Sequence, residues 1–182
     1  TNKNYVDIIR EQLPELGEDN LIVEPMQKET ATCIGHSAVR LMKKDSEAVM
    51  VVLPSDHHIE NENAFITTLQ QGMLIAENSK HLITIGVKPT RPETAYGYIQ
   101  IGKKMDEEWP IDTYKVRRFT EKPNKEKAAE FIEDGRYLWN SGMFIWKVSS
   151  LLKQYKKHLP EIYESLKAIR DGLGTDNESS IL

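Results

Sequence analysis

The stretch "VMVVLPSDHHI" (residues 49–59) runs five apolar residues into a proline and then presents Asp56, His57 and His58. A carboxylate beside two imidazoles raises the question of a metal. Zinc needs three or four ligands at one point. Adjacent histidines on an extended loop point different ways, and no second Cys/His cluster occurs in the chain. A single carboxylate reaching Mg2+ that also holds phosphates fits better, because Mg2+ takes only one or two protein carboxylates. His57 and His58 then shape the loop or face solvent. His36, His81 and His158 receive no role.

Other polar residues fall at comparable places. Glu24 closes "LIVE", and Glu121 and Lys122 close "KVRRFTEK". In open α/β sheets ligands sit beyond the carboxyl ends of parallel strands, so three such endings on one rim would define one crevice. The competing reading is that strands end in polar residues anyway. Asn140 in "WNSGMF" has an amide that both donates and accepts, which suits sugar hydroxyls; a turn closed by an Asx hydrogen bond explains it equally well. Gly97 in "AYGYI" either lets backbone approach a ligand or makes a simple bend.

The elements that must position these residues follow from periodicity. Helical spacing is expected over residues 5–13, 29–44, 61–79, 125–135, 149–158 and 160–169. Apolar runs over 21–25, 48–53 and 81–87 read as buried strands. Strand, helix, strand, helix, strand is the pattern of a parallel α/β sheet. Residues 96–102 and 113–123 alternate like strands of a less buried, partly antiparallel region, and 142–148 reads as a strand. Residues 1–169 are expected to form the central part of one catalytic domain, and 170–182 a polar, frayed tail.

Composition narrows the function classes. The chain has 182 residues, 39% of them hydrophobic, enough for one domain with a core. A net charge of −4, without a basic stripe, argues against a nucleic-acid face. No apolar run approaches the ~20 residues that span a bilayer. The single cysteine, Cys33, cannot form an internal disulfide, which fits a reducing, cytoplasmic setting.

Taken in order, "EPMQKETA", "VLPSDHHI", "GVKPTRPETAYGYI", "FTEKP" and "WNSGMF" resemble the mannose-1-phosphate guanylyltransferases, the GDP-mannose pyrophosphorylases of the sugar nucleotidyltransferase superfamily. The resemblance runs from the first residues to about Ile169. It implies a Rossmann-like nucleotide-diphospho-sugar transferase fold, with a mixed, mainly parallel sheet flanked by helices and incomplete at the N-terminus. It implies transfer from GTP to mannose 1-phosphate, giving GDP-mannose and pyrophosphate, with Mg2+. It places Asp56 on the metal and Glu24, Glu29 and Thr30 beside the base. Gly97 would offer its backbone to the sugar, Glu121 and Asn140 would bind mannose hydroxyls, and Lys122 would meet the sugar phosphate. Asp56 and Lys122 are then the residues that carry transfer.

The chain also departs from that family. It has no match to the glycine-rich GxGxRLxPxxxxxxPK loop and no second metal-binding Asp after "WNSGMF", and Ala95 stands where the family commonly has Gly. The expectation is a fragment that does not turn over alone and that exposes apolar sheet edge, favouring self-association. The same chemistry on another sugar or base, and a non-catalytic sugar-nucleotide-binding module, are the alternative functions.

Overall fold

The computed structural model describes residues 1–24, 30–105, 109 and 111–175. The chain divides into two compact units: Thr1–Ala48 together with Val148–Leu182, and Val49–Lys147.

The first unit is helical. It contains α1 (Val6–Gln12), α2 (Thr30–Lys44), α5 (Val148–His158) and α6 (Pro160–Gly172). Ile34, Gly35, Ala38 and Val39 put one face of α2 into the core, as their three- and four-residue spacing requires. Leu151, Leu152 and Tyr155 do the same for α5, and Leu166 for α6. The helices approach closely at Gly35, where an added Cβ would lie 2.6 Å from Leu166 Cδ1. The Tyr155 hydroxyl reaches the Ala31 carbonyl at 2.7 Å, which satisfies the polar end of a buried ring. Pro160 opens α6, where its missing N–H costs nothing. That helix passes the expected end at 169 and continues to Gly172, and Leu173 is buried. The rest of the expected tail, 176–182, lies outside the described residues.

The expected buried strand at 21–25 is not formed among the described residues. Glu24 makes an isolated bridge to Asn2, and Val23 is 38% exposed. A β-branched run becomes a strand only when neighbours cover it, and a single bridge does not.

The second unit is a five-stranded sheet with two helices. Its strands are β1 (Val49–Val52), β2 (Ile83–Val87), β3 (Tyr98–Lys104), β4 (Tyr114–Thr120) and β5 (Tyr137–Lys147); its helices are α3 (Glu62–Glu77) and α4 (Lys125–Asp134). The α/β class and the helix-flanked sheet are as expected. The mainly parallel pairing is not: every strand pairing among the described residues is antiparallel. The reason is β5. Ile145 pairs with Val51 of β1 and with Ile83 of β2, so β5 runs between them. β1 and β2 do run in the same direction, but each is bonded to an antiparallel neighbour.

β5 also begins five residues earlier than the apolar run at 142–148. Asn140 and Ser141, which precede the expected strand, lie inside it with Gly142. They form an irregularity, because Thr84 pairs with Phe144 while Gly86 pairs with Asn140. The Ser141 hydroxyl donates to the Ile85 carbonyl at 2.5 Å, and Gly142 takes a φ of 71° that suits only a residue without Cβ.

α4 covers one face of β3 and β5. Tyr98, Ala128, Phe131 and Tyr137 form a buried cluster with Trp139 packed against it. The rings of Phe131 and Tyr137 stack at 3.9 Å, an arrangement worth about 1 kcal/mol beyond the area buried. Asn124 caps α4 by accepting from the Lys127 N–H, and Gly135 ends it in the left-handed conformation.

Candidate active site

Strand register assembles the site in the Val49–Lys147 unit. Tyr98 pairs with Thr120 on β4 and with Trp139 on β5. One position further, Gly97, Glu121 and Asn140 therefore stand side by side, and Gly86 of β2 continues the row past Asn140. The Asn140 N–H donates to the Gly97 carbonyl at 2.8 Å. A Cβ on Gly97 would meet Glu121 Oε2 at 2.7 Å and Asn140 Cβ at 3.5 Å. The absence of a side chain at 97 is what lets the Glu121 carboxylate lie against that backbone. Gly97 is buried while Glu121 is exposed, so the carboxylate is open to a ligand.

Asn140 makes the local contact that its sequence allowed. Its Oδ1 accepts from the Gly142 N–H at 3.3 Å, an Asx contact, while its backbone joins the row. Lys122 follows Glu121 directly and has a φ of 41°. It is the one non-glycine residue with positive φ among those described. Such a conformation costs a lysine on the order of 1–2 kcal/mol, and strain of this kind concentrates at functional sites.

Asp56 is exposed in the turn after β1. The same loop begins against β5 two residues beyond Asn140: a Cβ on Gly142 would touch Pro54 Cγ at 3.4 Å. No group of three or more His, Cys, Asp or Glu gathers to hold a metal among the described residues. Asp56 offers one open carboxylate, a donor set that suits Mg2+ whose remaining ligands are phosphate and water.

The other expected residues belong to the first unit. The Glu24 carboxylate engages the Cys33 thiol, whose pKa is raised first by burial and then by that hydrogen bond and charge. Thr30 is exposed at the start of α2. Glu29 lies outside the described residues.

The loop before Gly97 holds residues that the sequence did not single out. Glu93 Oε1 accepts the N–H groups of Thr94 and Ala95 at 2.9 and 3.1 Å, and Oε2 pairs with Arg91. These bonds hold its carboxyl below the usual glutamate range, the Ala95 N–H contributing most and Arg91 next. Arg91 lies over the Trp139 ring, 5.5 Å from its centroid, and Tyr96 meets the same ring edge-on at 5.3 Å. Ala95 is accommodated without positive φ. The available signal was that Glu93 is the lone carboxylate in residues 78–105.

A second concavity in this unit, about 540 Å3, is lined by Ile75, Ile83, Ile85, Ile99 and Ile101 among others. Its lining also holds His81, Asp112, Thr113 and Lys115, and it includes none of Asp56, Gly97, Glu121, Lys122 or Asn140.

The family model described as nucleotidyl transferase matches residues 1–176. The chain belongs to the nucleotidyl transferase family. A mannose-1-phosphate guanylyltransferase of Escherichia coli K12 is 35% identical over 96% of this nucleotidyl transferase chain, which covers 37% of that protein. An alginate biosynthesis protein of Pseudomonas syringae is 34% identical over 98% of the chain and is covered to 38%. The chain thus spans less than two fifths of these curated relatives. Among solved structures, one from Thermus thermophilus named mannose-1-phosphate geranyltransferase superposes with a TM-score of 0.84 at 28% identity, over all of this chain and 50% of its own. No helix among the described residues of this family member is long and apolar enough to cross a membrane.

Proposed function

We propose that the protein transfers a guanylyl group from GTP to mannose 1-phosphate, releasing pyrophosphate and forming GDP-mannose. The observation that carries this reading is the row of Gly97, Glu121 and Asn140, with the strained Lys122 next to it. A carboxylate and an amide side by side read sugar hydroxyls, and a cation one residue on meets the sugar phosphate. An oxygen of that phosphate attacks the α-phosphorus of GTP, a new P–O bond forms, and the bond to the bridging oxygen of pyrophosphate breaks. Such transfers depend on positioning and charge neutralisation, and these side chains supply both. Lys122 neutralises the attacking phosphate, while Glu121 and Asn140 orient the ring. Asp56 would hold Mg2+, which when bound neutralises charge on the triphosphate. Glu24, Glu29 and Thr30 are assigned to the base. The cytoplasm is the proposed location.

The test is pyrophosphate release by the intact protein with GTP and a panel of sugar 1-phosphates. Release with mannose 1-phosphate above the others is expected. Preference for another sugar or another nucleotide would move the activity within the family. Binding of mannose 1-phosphate without any turnover would turn the reading into that of a non-catalytic binding module.

A further inference from the structure

We infer that the Glu93–Arg91 pair is a positioning unit that sets the Gly97–Asn140 backbone contact from behind the sheet. The inference rests on the reading above for its consequence, the binding of a sugar phosphate, but not for the positioning itself.

Successive residues of a strand face opposite sides of the sheet. Trp139 packs with the aromatic cluster under α4, so Asn140 presents its side chain to the other side. Residues 91–96 lie against the Trp139 side and end at Gly97. Whatever holds that loop to Trp139 therefore fixes where Gly97 emerges beside Asn140.

Glu93 ties the loop down at several points. Its carboxylate takes two backbone N–H groups and the Arg91 guanidinium, and its carbonyl accepts the Tyr98 hydroxyl at 2.9 Å. Tyr98 is fully buried and pairs with Trp139, so this bond anchors Glu93 to the sheet. Arg91 completes the circuit from the other end, over the Trp139 ring. A cation held by a carboxylate and placed over an indole is oriented by both.

A carboxylate is needed because one group must accept from three donors at once. A glutamine at 93 keeps the shape, but its amide nitrogen meets either Arg91 or the backbone N–H groups as a donor facing donors. The loop then loses either the arginine or its own turn. Neither Glu93 nor Arg91 is assigned contact with substrate; their effect passes through Gly97.

The experiment measures amide hydrogen exchange at Asn140 in this chain, for wild type, Glu93→Gln, Arg91→Ala and Arg91→Lys. Mannose 1-phosphate binding is measured by calorimetry on the same samples. Exchange at Asn140 is expected to quicken at least tenfold in Glu93→Gln and Arg91→Ala, while the amide of buried Ile75 on α3 keeps its rate. Arg91→Lys, which retains the cation, is expected to recover most of the protection. Affinity for mannose 1-phosphate should fall about tenfold in the first two variants and recover in the third. Unchanged exchange at Asn140, or equal acceleration at Asn140 and Ile75, would overturn the positioning role. Wild-type chain that protects Asn140 yet does not bind mannose 1-phosphate would instead overturn the sugar-phosphate reading, and the exchange comparison would still decide the positioning role.

Discussion

The backbone N–H of Asn140 donates to the Gly97 carbonyl at 2.8 Å, one residue beyond the Tyr98–Trp139 pair of the β3–β5 ladder. This single bond extends the sheet far enough to bring a side-chain-free backbone between a carboxylate and an amide. It is the point at which the register of three strands becomes a binding geometry.

Gly97→Ala tests that geometry. The new Cβ would sit 2.7 Å from Glu121 Oε2, the far end of a flexible, exposed side chain. Glu121 can swing away, and φ at 97 is not positive, so the fold should lose less than about 1 kcal/mol. The displaced carboxylate no longer meets the ligand. Calorimetry should show mannose 1-phosphate affinity reduced about tenfold, with a nearly unchanged urea midpoint. A large drop in the midpoint would mean that the contact is needed for packing instead.

Asp56→Asn separates the metal role from folding. The residue is exposed in a turn, and the swap preserves its shape, so stability should stay within about 0.5 kcal/mol of wild type. Mg2+-dependent transfer by the intact protein should fall by roughly 100-fold or more, the scale of losing one charge-stabilising group at a reaction centre. Mannose 1-phosphate binding without Mg2+ should not change. Equal loss of binding and transfer would place Asp56 on the sugar instead.

Much of the architecture was legible in the sequence. Helical spacing located α2, α3, α4, α5 and α6 to within a few residues, and apolar runs located β1 and β2. Direction and partner were not legible, because an apolar run records burial and not the strand beside it. Nothing in those runs reveals that the antiparallel β5 lies between β1 and β2. For Asn140–Ser141–Gly142 a turn and a ligand-reading amide were equally open, and the bulge was not legible because it depends on the Ile85 carbonyl opposite Ser141. "LIVE" read as a strand because β propensity does not say whether a neighbour is present. Of the site, Gly97, Glu121 and Asn140 were nameable, but their adjacency depends on long-range register. Glu93 was missed because its partners are backbone N–H groups and an arginine two residues away, a pattern indistinguishable from an ordinary polar loop.

The Glu93 carboxyl should titrate below the ordinary glutamate range, because two backbone N–H groups and Arg91 favour its charged form. A depressed folded pKa contributes stability that is present in full above the unfolded value and is lost as pH falls through the folded value. The loop should therefore hold at neutral pH and loosen only under acid. An NMR titration of the Glu93 side chain should give a midpoint below the ordinary glutamate value. In Glu93→Gln the acid-linked part of the Asn140 exchange rate should vanish. A midpoint at or above the ordinary value would contradict the bond pattern.

Lys122 combines two properties that substitutions can divide. Its φ of 41° is a backbone cost, and its cation is the proposed phosphate contact. Lys122→Ala keeps the cost and removes the charge, whereas Lys122→Gly removes both. The glycine variant should be more stable than the alanine variant by about 1 kcal/mol in urea unfolding, since only glycine occupies this region freely. Both should bind mannose 1-phosphate about tenfold or more weakly than wild type, and to the same degree. Lys122→Arg should keep most of the affinity, because it retains the charge on a similar stem. Equal stability of the glycine and alanine variants would show that the positive φ is not strained in solution. Retained affinity in both would show that the phosphate is held elsewhere. A glycine variant that is more stable yet binds weakly would mean that the chain tolerates a strained lysine here for the sake of where it places the charge.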